Sequence, residues 1–199
     1  DLHSFPTRRS SDLYYVIALH INYNNRKESI KILEQITEAS IDYAKNQVLS
    51  GIEVFQLFET HCGAIPYKLY EEIILPFSKK ILNSVKEMNC PNIFFPKDYS
   101  LGLKSINNDI CDFVSIDWHM SLNNARYLVD DGVGIQGNMD PRILYYDLDK
   151  IEKYLQSCVE FGSKNRDWIF NLGHGFLPDI DYKKAQFVVE WIKKTNWNR

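Results

Sequence analysis

The stretch FVSIDWHMSLNNARYLVDDGVGIQ, from Phe113 to Gln136, decides the fold. It opens and closes on short apolar runs, Phe113 to Ile116 and Val133 to Gln136, of the kind that forms strands buried on both faces. Between them Ser121 can cap a helix, Leu122, Ala125 and Leu128 recur at helical spacing, and Gly132 is expected to end that helix before the second strand. Strand, helix and strand follow one another without a hairpin turn, which makes the two strands parallel and the helix their crossover.

The same alternation extends in both directions. Upstream, Ile30, Leu33, Ile36, Ile41, Ala44 and Val48 mark a helix over 27–50, with Gly51 where a left-handed cap is expected. Strand-like Val54 to Phe58 follows. Leu69, Ile73, Phe77, Ile81 and Val85 then keep an i+4 stripe in which Pro76 marks a kink or the first turn of a second helix. Ile93 to Phe95 is the next strand, and a short helical stretch spans 101–106. Downstream, Asp147 is expected to cap a helix carrying Ile151, Tyr154, Leu155, Cys158 and Val159, with Gly162 as its terminator. Trp168 to Asn171 is the last strand, and Ala185, Val188, Val189 and Ile192 line a closing amphipathic helix. Five strands in alternation with helices predict an α/β fold, either an open doubly wound sheet or part of a (β/α)8 barrel. Tyr14 to Ile21 fits either a strand remnant or the end of a loop.

Composition narrows the function classes. The 199 residues carry a formal net charge of −3 with cations dispersed among acids, which argues against a nucleic-acid surface. Apolar runs such as Val54 to Phe58 and Ile73 to Leu75 are far short of the ~20 residues a membrane-spanning helix needs. With no signal peptide in view, a cytoplasmic location is expected. Cys62, Cys90, Cys111 and Cys158 show no Cys-x-x-Cys spacing, so they read as reduced thiols and suggest neither a disulfide framework nor a zinc ribbon.

In parallel βα architectures the reactive groups lie at the C-terminal ends of strands. Those ends carry Glu59, Thr60, His61, Cys62 and Gly63; then Pro96, Lys97 and Asp98; then Asp117, Trp118 and His119; then Gly137 to Pro141; and finally Leu172, Gly173, His174 and Gly175. His174 stands out because flanking glycines leave its imidazole open to a ligand, although a hydrogen-bonded loop histidine fits the same pattern. A hydroxyl such as that of Thr60 serves a turn or helix cap more often than a ligand. Asp117 and His119, with His61, Cys62 and Cys111, invite a metal reading, but no pair has a recognised ligand spacing. Lys97 fits an anion or a structural salt bridge, and Asp140 before Pro141 is turn chemistry.

Taken together, QLFETHCG (56–63), FPKD (95–98), SIDW (115–118), QGNMDP (136–141) and NLGHGFLPD (171–179) resemble the uroporphyrinogen decarboxylase family, in the family's order and at similar spacing. The resemblance runs from about Asn24 to the C-terminus. It implies a partial (β/α)8 TIM barrel made of the family's C-terminal five βα units. It further implies an enzyme that uses neither metal nor organic cofactor, works as a homodimer when complete, and removes carbon dioxide from the four acetate side chains of uroporphyrinogen III to give coproporphyrinogen III. By the same resemblance Thr60 corresponds to a substrate-contacting Ser or Thr, and His174 to the histidine that contacts substrate near the last strand. Cys62 stands where relatives usually carry a small residue.

The family's arginine-rich segment, essential aspartate and active-site tyrosine would all precede this region. The fragment itself is therefore expected to be inactive, and no Arg stands at the strand ends named above. Asp1 to Leu13, containing HSFPTRRSSDL (3–13), read as a translated sequencing adapter, a non-native leader to a domain over 14–199. Corrinoid-dependent methyltransferases of the same superfamily are the rival reading. They call for a His-x-Cys motif after a middle strand and a further Cys near the last, where this chain has Lys97 and His174.

Overall fold

The computed structural model describes residues 25–197, so the leader 1–13 and the segment 14–21 lie outside the described residues. Five strands form one sheet: β1 (Phe55–Glu59), β2 (Asn92–Pro96), β3 (Phe113–Ser115), β4 (Gly134–Gln136) and β5 (Trp168–Ile169). All neighbours are parallel and their spatial order is their order in the chain. A doubly wound sheet reverses direction at a switch point, whereas a barrel winds one way. Here the order never reverses, so the chain is five consecutive βα units of barrel type.

The helices are α1 (Arg26–Leu49), α2 (Leu75–Lys86), α3 (Leu122–Leu128), α4 (Leu148–Lys164) and α5 (Tyr182–Lys194). A three-residue α-turn (Tyr67–Leu69) and a π-helical turn (Tyr70–Ile74) lead into α2, whose first turn holds Pro76. Proline lacks the N–H that a first turn leaves unused, so of the two expectations the helix start is the one realised. A short 3₁₀ turn at Ser100–Ser105 stands in place of a longer helix after β2, and another at Pro141–Tyr145 precedes α4 after β4.

Strand alternation separates the two faces of the sheet. Leu57, Phe94, Val114, Ile135 and Trp168 point to the helical layer, and the last four are 0–5% exposed. They pack against Leu82 and Val85 of α2, Ala125 of α3 and Phe161 of α4 in one apolar core. A second core joins α4 to α5 through Ile151, Leu155 and Val188. The opposite face carries Gln56, Phe58, Phe95, Ser115, Gln136 and Ile169. There Gln136 Nε2 donates to Ser115 Oγ at 3.0 Å and to Gln56 Oε1 at 3.4 Å. On this face Phe95, Ser115 and Gln136 are buried, while Phe58 and Ile169, on the two outer strands, are 40% and 37% exposed.

Several local expectations hold. Gly51 has φ +93°, and the Ser121 hydroxyl accepts from the Asn124 N–H at 3.2 Å. Others need correction. Asp147 occupies the N-cap of α4, but its side chain makes no capping hydrogen bond. Gly162 does not end α4, which runs on to Lys164. A Cβ there would come within 2.7 Å of Trp168 and 2.8 Å of Trp197, so the glycine admits two indoles against the helix. Helix α3 ends at Leu128, Val129 is extended, and four residues, Gly132 among them, separate Val129 from β4. Glu59, read from sequence as following its strand, is the last residue of β1.

Candidate functional site

The C-terminal strand ends form a mouth whose best-ordered part is built on Asp117. This aspartate lies just beyond β3, is 5% exposed, and accepts from the Asp98 N–H at 2.7 Å and the His119 N–H at 2.9 Å. The His119 imidazole Nδ1 sits 3.0 Å from both Asp117 Oδ1 and Asp98 Oδ1. Lys97 pairs with Asp98, so the salt-bridge reading of Lys97 is the one found. Donor atoms of Asp98, Asp117 and His119 come within 4.8 Å of one another. Each is already engaged by an amide, an ammonium or an imidazole, and the cluster includes none of His61, Cys62 and Cys111. Cys62 and Cys111 are buried; burial pushes the Cys62 thiol upward and that of Cys111 up to about 12.

Trp118, next to Asp117, is the hub of the mouth. The His119 ring lies 5.1 Å from it, the His174 ring 6.2 Å away edge-on, Lys97 Nζ 5.9 Å above it, and the Arg142 guanidinium 5.5 Å away. The last two are cation–π distances, and the four contacts together bring residues from the ends of β2, β3, β4 and β5 to one indole. Arg142 stands one residue beyond Pro141, the last strand-end residue of β4 that the sequence pattern marks. It stands in the 3₁₀ turn after β4, held by Asp140, whose carboxyl it keeps below the usual carboxylate range through paired hydrogen bonds. Asp140 also accepts from the Arg142 N–H, the turn chemistry expected of it.

His174 reaches the mouth because Gly173 allows the chain to pass against β3. Gly173 N–H donates to Met139 O at 2.8 Å, and a Cβ on Gly173 would lie 2.7 Å from the Trp118 nitrogen and 3.0 Å from the Asp117 carbonyl carbon. The half-buried imidazole faces Trp118, with Nδ1 3.3 Å from Gly175 O. Asn138 fixes the floor, donating to the carbonyls of Asp117 and Met120 at 2.9 and 2.6 Å.

Thr60 stands apart from this web, at the end of β1, half-buried. Its strand end is tied to the Lys97 loop by Lys97 N–H to Glu59 O at 3.2 Å and Gly63 N–H to Lys97 O at 3.1 Å. Thr60 and His174 therefore share one end of the sheet but sit at its first and fifth strands. Followed along the curved sheet they are four strand spacings apart, roughly 19 Å. Sequence reasoning singled out Thr60 and His174 but gave Trp118 no special role. The available signal was its place directly after Asp117, where a strand-end carboxylate needs neighbours to orient it.

The family model for uroporphyrinogen decarboxylase matches residues 11–195. The chain belongs to the uroporphyrinogen decarboxylase family. Among curated relatives, a uroporphyrinogen decarboxylase of Pelobacter propionicus is 31% identical over 163 residues, covering 82% of this chain and 48% of the relative. One from Chlorobium phaeobacteroides is 32% identical over 185 residues, covering 90% and 53%. The chain thus spans about half the length of the uroporphyrinogen decarboxylases it matches. Among solved structures, a methyltransferase from Methanosarcina mazei superposes with a TM-score of 0.76 at 17% identity, over 87% of this chain and 51% of that one. That likeness extends the family's fold to a second enzyme class. No helix of the described residues is long and apolar enough to cross a membrane.

Proposed function

We propose that this chain is the C-terminal half of a uroporphyrinogen decarboxylase, the carboxy-lyase that converts uroporphyrinogen III to coproporphyrinogen III. The family match over nearly the whole chain carries the reading, and the strand-end position of Thr60 and His174 supports it. In this reaction a pyrrole carbon is protonated, the cationic ring accepts the electron pair released as an acetate loses carbon dioxide, the exocyclic carbon so formed is protonated to a methyl group, and the ring carbon gives back its proton to restore the pyrrole. The protein's task is to hold the substrate, deliver and accept protons, and exclude water. His174, braced by Trp118, and the Thr60 hydroxyl would contact the substrate from opposite sides of the mouth.

The charge of this half fits a divided site. Lys97 and Arg142 are paired with Asp98 and Asp140, and Asp117 adds a further negative charge. A substrate with eight carboxylates needs a cationic surface beyond these two residues, and the other half of the enzyme would supply it. The complete protein is proposed to act in the cytoplasm as a homodimer without metal or organic cofactor, and the 199 residues alone to be inactive. The test is anaerobic decarboxylation by the complete protein. Thr60→Ala and His174→Ala should each lower turnover at least about tenfold, equivalent to a loss of about 1.4 kcal/mol of transition-state stabilisation. Undiminished turnover in both variants would contradict the proposal. The methyltransferase reading would require stoichiometric zinc in that protein.

A further inference from the structure

Glu59 is the last residue of β1 and, in step with Phe55 and Leu57, belongs to the face that carries the helical layer, while Thr60 follows it directly in the turn at the strand's C-terminal end. The Glu59 side chain is enclosed, with the residue only 6% exposed. The segments that follow β1 fold back over it. Ser78 of α2 lies alongside its carboxyl, and Tyr70 of the π-helical turn and Cys62 of the 3₁₀ turn complete a shared electrostatic cluster with it. Tyr70 and Cys62 are 0% and 1% exposed, and the Tyr70 hydroxyl lies beside Ser78 and Cys62. A buried carboxyl enclosed by hydroxyls and a thiol, with no cation beside it, is costly to maintain, which calls for a reason beyond packing.

We propose that Glu59 is a positioning residue: its buried side chain, wedged among Ser78, Tyr70 and Cys62, pins the end of β1 to the helical layer and so fixes where Thr60 stands at the mouth. The catalytic consequence rests on reading Thr60 as a substrate contact; the coupling between Glu59 and Thr60 does not.

The pin depends on protonation. Burial raises the Glu59 carboxyl to about 7, and Ser78 draws it back only in part. The groups facing it are the Ser78 hydroxyl, the Tyr70 hydroxyl and the Cys62 thiol. Burial pushes both Tyr70 and Cys62 upward, so both stay neutral, and the Asp98 carboxylate acts on Cys62 in the same direction. No cation is among the groups that act on the Glu59 carboxyl. Below neutrality the protonated acid sits in this site without charge. Above it, a carboxylate forms with no counter-charge, and the strand end must shift or admit water to relieve it.

The experiment is a nuclear magnetic resonance titration of the full 199-residue chain from about pH 5 to about pH 9, following the Glu59 carboxyl carbon and the Thr60 methyl. In wild type the Thr60 methyl should move with the same midpoint as Glu59. In Glu59→Gln, which imitates the protonated acid, it should hold the low-pH position throughout. Glu59→Ala should displace it at every pH; if that variant fails to fold, the Gln variant still decides. A Thr60 signal that stays flat while Glu59 titrates, or that drifts in Glu59→Gln as in wild type, would overturn the proposal. Failure of the substrate-contact reading shows separately: Thr60→Ala turnover equal to wild type in the complete enzyme, with the coupling intact, would overturn only the catalytic consequence.

Discussion

The mouth has two unlike sides. Around Trp118, at the ends of β2 to β5, carboxylates and cations are partnered: Asp117 holds two amides and an imidazole, Asp98 holds Lys97, and Asp140 holds Arg142. At the end of β1, Glu59 meets hydroxyls and a thiol, and burial raises its carboxyl to about 7. The same residue class is thus an ionised organiser on one side and a proton-holding wedge on the other. What differs is the supply of counter-charge and N–H donors, which decides whether a buried carboxyl keeps its proton.

Breaking the ordered side should cost most at Gly173. Gly173→Val puts side-chain carbons against the backbone of Asp117 and Trp118, which cannot rotate away, so a loss of about 3–4 kcal/mol in urea unfolding is expected. On the other side, Glu59→Gln should sharpen the contrast through pH. A carboxyl whose folded value is raised loses stability as pH climbs from the unfolded value of 4.5 to about 7, and the loss stays constant above that. Glu59→Gln should therefore be more stable than wild type at pH 8, by up to about 3 kcal/mol relative to the comparison at pH 4.

Asp117→Ala should cost about 2 kcal/mol in urea unfolding by removing the acceptor of the Asp98 and His119 amides. Ser121→Ala, on the exposed loop that follows, sets the scale of an ordinary local contact: about 1 kcal/mol, read as a small drop in melting temperature.

Helical and strand periodicity carried most of the architecture, because Phe94, Val114, Ile135 and Trp168 are buried whichever helix covers them. Where chain-distant atoms decide the outcome, the sequence was silent. Gly162 looks like a helix stop until Trp168 and Trp197 are seen to press on it. Asp147 has the residue type and position of a cap, yet its side chain makes no such bond. Of the site, Thr60 and His174 were legible through family motifs, since composition alone leaves a loop hydroxyl and a loop imidazole ambiguous. The Trp118 hub, Arg142's approach to it and the enclosure of Glu59 depend on which strand ends become neighbours, and that follows only from the sheet's order.

The most direct measurement is complementation. The 199-residue chain would be mixed with a separately produced N-terminal half of the complete protein, and coproporphyrinogen III followed after anaerobic addition of uroporphyrinogen III. The account predicts no turnover by either half alone, turnover by the mixture, and its loss when the 199-residue partner carries His174→Ala. Decarboxylation by the 199 residues alone, or by a mixture indifferent to His174, would contradict it.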